Sequence, residues 1–86
     1  MGDFPHELTI EATYAPATAR RIATSLTVEA VDLDDDRSCT GIDRDGGDLS
    51  IEISARDLTS LRAACATWFG LLGTAEGAAA IAERGC

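Results

Sequence analysis

"RSCTGIDRDGGDLSIEIS", residues 37–54, contains the turn on which the fold rests. Asp45-Gly46-Gly47-Asp48 is hairpin chemistry between two extended segments, because glycine reaches the positive-φ conformations such turns need. With Gly46-Gly47 as the turn, Ile42 faces Ile51 and Thr40 faces Ile53; with Asp45-Gly46 the pairing shifts by two and the same faces still meet. Either register predicts Leu49, Ile51, Ile53 and Ala55 on the core side and Ser50, Glu52 and Ser54 outward. The first of the two strands carries Gly41 at its middle and one large apolar residue, Ile42. That suits an edge position that another chain could extend.

Upstream, "HELTIEATY", residues 6–14, alternates Leu8, Ile10, Ala12 and Tyr14 with Glu7, Thr9, Glu11 and Thr13, the pattern of a half-buried strand. "APATARRIATSL" follows, with Pro16 acceptable in a first helical turn and Ala19, Ile22, Ala23 and Leu26 at helical spacing. This predicts a short amphipathic helix with Arg20 and Arg21 at its rim. "TVEAVDLDDD", residues 27–36, shows no sustained period, and its acidic end reads as a solvated loop.

Downstream, "SARDLTSLRAACATWFGLL" begins with Asp57 as N-cap, or Ser54 as an earlier one. Leu58, Leu61, Cys65, Trp68 and Leu72 then fall at three-and-four spacing. A second line, Ala64, Phe69 and Leu71, widens the apolar stripe beyond what one small sheet would cover. An Ala-rich helical pattern continues to Gly85, either as one long helix kinked at Gly70 and Gly73 or as two helices. The expected fold is α+β, in the order β-α-β-β-α: a three-stranded antiparallel sheet ordered one, three, two, with a right-handed first crossover and both helices on one face. With no internal repeat and no linker, residues 1–86 are expected to form a single domain.

Eighty-six residues bury only about 60 to 65% of the surface the unfolded chain exposes, so association would add stability. No apolar run approaches the roughly 20 residues of a membrane span, and "MGDFPHEL" lacks the basic and apolar regions of a secretory signal. A cytoplasmic location without membrane contact is expected. Cys39, Cys65 and Cys86 have no CxxC spacing and one histidine beside them, which argues for free thiols over a zinc site or a disulfide framework.

Fifteen acids against seven arginines, with no lysine, give a net charge of −8. A disordered acidic tail fits poorly, since the acids are spread through periodic segments. Repulsion of polyanions is the direct reading. A high-salt cytoplasm is the third, where the Debye length falls to about 3 Å at 1 M and net charge says little about RNA binding. The lysine-free, Ala- and Asp-rich usage favours this third reading.

Converging catalytic groups are not found. His6 stands at a strand start without a thiol neighbour and reads as a surface or edge residue. Asp34, Asp35 and Asp36 lack the glycine and terminal glutamate of a calcium loop and read as a solvated run. The Gly-Gly pair precedes a strand, so it is no phosphate cradle. Trp68 reads as core packing ahead of base stacking. Arg56 and Arg62 flank the second helix start, where they form surface ion pairs or meet phosphate. Neither catalytic residues, metal ligands nor a cofactor are expected.

Ala55, Asp57, Leu58, Leu61, Arg62 and Ala63 at the entry to the second helix, with "HELTIEATY", "RRIATSL", Arg37-Ser38 and "DGGDLSIEI", resemble the small dimerising subunit of the KEOPS complex. That family also contains the cancer/testis antigen-like proteins and was once described as a transcription factor. The similarity runs collinearly from His6 to Gly73. It departs at Ala66-Thr67, where the family often has Asn-Ser, and at Gly70 and Gly73, where straighter helices are usual.

The resemblance implies a non-catalytic scaffold for the assembly that makes threonylcarbamoyladenosine in tRNA. It implies a homodimer whose edge strands join, here assigned to Cys39, Thr40, Gly41, Ile42 and Asp43. It also implies helical contact with the catalytic threonylcarbamoyltransferase subunit, assigned to Leu61, Cys65, Trp68, Phe69 and Leu72. Arg20, Arg21, Arg56 and Arg62 are the candidates for tRNA contact within the complex. Together with the composition it suggests a halophilic archaeal source. The alternative is a stand-alone RNA-binding α+β module or transcription-related factor, although the chain has no GxxG clamp and no aromatic pair on its sheet.

Overall fold

A computed structural model describes residues 4–35 and 37–84, with side chains as far as Ile81. The chain order is β1 (His6–Thr13), α1 (Pro16–Leu33), β2 (Ser38–Asp45), β3 (Asp48–Ala55) and α2 (Leu58–Arg84). The sheet is antiparallel in the order β1-β3-β2, as the sequence predicts, so β1 and β2 are its two edges.

The hairpin takes the first of the two expected registers. Asp45 pairs with Asp48, Ile42 with Ile51 and Thr40 with Ile53, leaving Gly46-Gly47 as the turn. The two glycines are there for different reasons. Gly46 adopts φ +61, the positive value required at the first position of a tight hairpin turn. Gly47 lies against the end of β1, where Tyr14 donates its N–H to the Gly47 carbonyl at 2.9 Å. A Cβ on Gly47 would sit 2.1 Å from the Tyr14 carbonyl oxygen.

The inward face of β3 is closed over Leu49, Ile51, Ile53 and Ala55, all buried, and the core is completed by Ile10, Ile22, Leu26, Leu61, Trp68 and Leu72. Period two from the sheet meets period three-and-four from both helices on the same side. Leu8 points to that side but lies on an edge strand and remains 38% exposed.

One expectation about the helices is corrected and one alternative is resolved. The stretch from Thr27 to Leu33, aperiodic in sequence, continues α1, which has 18 residues and is not the short amphipathic run expected. Ala30 extends the buried line of Ala19, Ile22 and Leu26, while Val28 and Val31 face outward and disguise the period. The helix ends at Asp34, which turns to extended backbone. α2 is a single helix of 27 residues that passes through Gly70 and Gly73, about 40 Å long at 1.5 Å per residue. Asp57, and not Ser54 inside β3, caps it, accepting the Ser60 N–H at 2.7 Å.

Candidate interaction surfaces

The strand assigned to self-association, Cys39 to Asp43, lies within the β2 edge. Thr40 is buried and Ile42 half-buried on the helix side, while Cys39, Gly41 and Asp43 are exposed. The turn leading into β2 is held by two aspartates of the acidic run. Asp35 Oδ1 accepts the N–H groups of Arg37 at 2.8 Å and Ser38 at 3.1 Å, and Asp34 Oδ1 accepts the Thr40 N–H at 2.9 Å. These donors hold the Asp35 carboxyl below its ordinary pKa, with the backbone N–H of Arg37 the leading cause. The Cys39 thiol stands 3.7 Å from Asp34 Oδ2, and burial, then the Asp34 charge, push its pKa up. Cys39 and Cys65 are free thiols. Asp36 and Cys86 lie outside the described residues.

Of the five α2 residues assigned to a partner, the chain's own core already covers three. Leu61, Trp68 and Leu72 are buried, Trp68 to 2% exposure. Cys65 is half-buried against the core, and its thiol is pushed up in pKa by burial. Phe69 is different: it stands 57% exposed, and Leu58, roughly three turns earlier on the same face, is exposed as well. Val28 and Val31, at 62% and 76%, form a second exposed apolar pair, on α1. Their three-residue spacing is the signal in the sequence that could have found them, had the segment been taken as helix.

The four arginines assigned to RNA are all exposed. They do not form one patch. Arg20 and Arg21 lie in the first turns of α1, near the hairpin end where Gly47 approaches Pro16. Arg56 and Arg62 lie at the opposite end of the sheet, where Arg56 donates its backbone N–H to the Arg37 carbonyl at 3.0 Å. Arg37, not among the four, therefore joins this second group and lines a shallow groove with Asp35, Ser38, Thr59 and Ser60. Arg56 meets Asp57 at 3.6 Å, an exposed ion pair of small energetic weight. The Asp57 carboxyl is lowered in pKa, first by the Ser60 N–H.

The face of the sheet away from the helices is acidic. Glu11, Asp43, Asp45 and Asp48 line a groove there. Carboxylates on that face repel phosphate and give bases nothing to stack on. Among the described residues, no group of three or more His, Cys, Asp or Glu side chains could hold a metal ion, and no helix is long and apolar enough to cross a membrane. At the far end, the Tyr14 hydroxyl donates to Glu76, tying the β1–α1 junction to α2. Burial, then that bond and the Glu76 charge, raise the Tyr14 pKa to about 12.

A family model described as "Transcription factor Pcc1" matches residues 7–80, which takes in nearly all of the three strands, α1 and most of α2. No curated protein matches the chain.

Proposed function

The chain belongs to the Pcc1 family, and on that premise we propose that it is a non-catalytic dimerisation and scaffold subunit of the KEOPS complex. In this reading it binds the catalytic threonylcarbamoyltransferase subunit and supports tRNA binding during threonylcarbamoyladenosine formation, in the cytoplasm of a halophilic archaeon, as a single domain. The observation that carries the reading is the division of α2: its inner line is used by the fold, while Phe69 remains in solvent. An exposed aromatic on a rigid helix is the kind of anchor from which protein interfaces draw most of their binding energy. The open edge of β2 supports self-association in the same way, through backbone groups rather than apolar area.

tRNA contact, in this proposal, comes from the two arginine groups and not from the acidic sheet face. Alone at −8, the subunit binds tRNA poorly. Within the complex, removing one arginine–phosphate pair should reduce the salt slope of tRNA binding by about 0.7 to 0.9.

The deciding experiment is reconstitution with the catalytic subunit. Copurification and tRNA modification that both depend on this chain support the scaffold reading. Absence of any complex in high and low salt would refute it. Replacing Arg20, Arg21, Arg56 and Arg62 by glutamine should lower modification without lowering copurification; unchanged tRNA affinity and modification would remove RNA contact and leave the dimerising role.

A further inference from the structure

The dimer proposed above rests on the β2 edge, and the hydrogen bonds around Asp34 and Asp35 determine which part of that edge is open. The bond from the Arg56 N–H to the Arg37 carbonyl continues the β2–β3 ladder one pair beyond Ser38 and Ala55. Antiparallel ladders alternate bonded with non-bonded pairs. Cys39, Gly41, Asp43 and Asp45 therefore spend their backbone groups on β3, while Ser38, Thr40, Ile42 and Arg44 turn theirs outward. The first outward groups are already occupied. Ser38 donates to Asp35 Oδ1 and accepts the Asp35 N–H at 3.1 Å, and the Thr40 N–H goes to Asp34 Oδ1. What remains for another chain is the Thr40 carbonyl and both groups of Ile42 and Arg44.

We propose that this aspartate clamp sets the register in which a second copy of the chain adds to the edge: antiparallel, with Ile42 of one copy opposite Ile42 of the other. Three symmetric registers compete. Centred on Gly41, the pairing calls on the Thr40 N–H and the Ser38 groups, which the clamp holds, so only the bonds from Ile42 N–H to Thr40 carbonyl survive. Centred on Asp43, it uses free groups but sets two Asp43 carboxylates directly opposite each other, with Cβ atoms about 5 Å apart, a destabilising like-charge pair. Those two carboxylates would join a face already lined by Glu11, Asp45 and Asp48.

Centred on Ile42, the two Ile42 residues exchange both backbone bonds, and each Arg44 N–H reaches a Thr40 carbonyl. Asp43 then lies opposite Gly41, where there is no side chain to repel it. The half-buried Ile42 side chains meet on the helix side, so apolar contact adds to the backbone bonds. The clamp rejects one neighbouring register and charge rejects the other. A protected start to an edge strand also shortens the template it offers to wrong partners.

Disulfide trapping reads the register in full-length chains with Cys65 and Cys86 replaced by serine. Residues in a non-hydrogen-bonded pair have Cα atoms about 4.5 Å apart, within disulfide reach, whereas an offset of two residues exceeds the roughly 7 Å limit. Centring on Ile42 pairs Cys39 with residue 45 of the other copy, so Asp45→Cys should cross-link through native Cys39 under mild oxidation. With Cys39→Ser, Gly41→Cys alone reports the Gly41 centre and Gly41→Cys with Asp45→Cys reports the Asp43 centre; neither should cross-link.

Adding Asp34→Ala together with Asp35→Ala to the Gly41→Cys chain frees both the Thr40 and the Ser38 N–H groups, the latter used only by the Gly41-centred register, and should make it self-cross-link. Asp34→Asn with Asp35→Asn keeps the side-chain oxygen acceptors and should not. Cross-linking of either control with Asp34 intact would overturn the register, as would a dimer by light scattering that no combination traps. Monomer at every concentration in light scattering would overturn the dimer reading beneath it, and the two failures are distinguished because scattering does not depend on register.

Discussion

Trp68 and Phe69 are adjacent on α2, yet one is 2% exposed and the other 57%. A helix turns about 100° per residue, so neighbouring positions can fall on the core and off it. Sequence spacing puts both in one apolar stripe, but only one side of that stripe meets the sheet and α1. Trp68 is among the largest fully buried side chains of the fold. Phe69 contributes little burial to it. The same helix therefore carries a folding surface and an association surface side by side, and substitutions should separate them.

The largest effect is expected at the covered member. Trp68→Ala removes a buried indole and should cost about 3 to 5 kcal/mol, a large fraction of the stability of so short a chain. Urea unfolding measures this directly. A loss near zero would mean that the buried and free sides of α2 are not distinguished as described.

A second contrast of covered and open positions separates the turn glycines. Around Gly46 a Cβ would meet nothing within 4 Å, but around Gly47 it would meet the Tyr14 carbonyl oxygen. Gly47→Ala must displace the β1–α1 junction and should cost about 1 to 3 kcal/mol, as overpacking does. Gly46→Ala is opposed instead by the positive φ, with a cost above about 0.4 to 1 kcal/mol. Thermal unfolding should rank Gly47→Ala as the more damaging of the two.

At the open member of the aromatic pair the expectation changes kind. Phe69→Ala should alter folding stability by no more than about 0.5 kcal/mol, as exposed substitutions do. Capture of the catalytic subunit should weaken by about tenfold or more if Phe69 is an interface anchor. Unimpaired capture would move the partner surface elsewhere, with Val28 and Val31 on α1 the next apolar pair to test.

How much of this was legible in the sequence follows from what each residue's position depends on. The hairpin, the sheet order and the inward line of β3 were readable because turn chemistry and strict alternation are local. Asp57 was readable as a cap for the same reason. The end of α1 was not, because Val28 and Val31 place apolar groups on the outer face and break the amphipathic signal. Asp34 and Asp35 resembled any solvated acidic run, since a carboxylate that accepts backbone N–H groups leaves no periodic trace. The arginines divided into two groups only when the sheet set Arg20 and Arg21 near one end and Arg37, Arg56 and Arg62 near the other. Sequence spacing alone places Arg37 with neither group.

The smallest effect sharpens the comparison at the point where α2 is fastened to β1. Tyr14 donates to Glu76, and its pKa is raised from 10.0 to about 12, first by burial and then by that carboxylate. A raised phenol pKa means that the fold favours the neutral hydroxyl. The stabilisation is therefore fully present below about pH 10, the unfolded value, and is lost as pH rises from about 10 to about 12. Tyr14→Phe deletes the donor and should flatten the alkaline fall in melting temperature while lowering stability slightly at neutral pH. Glu76→Gln keeps an acceptor but removes the charge, so it should retain the bond and shift the alkaline fall toward lower pH. Phe69, about two turns earlier on the helix, has no ionisable group of its own, and Phe69→Ala should leave the alkaline profile unchanged. If Tyr14→Phe and Glu76→Gln both showed the same profile as the parent chain, the fastening of α2 to β1 would have to rest on packing alone.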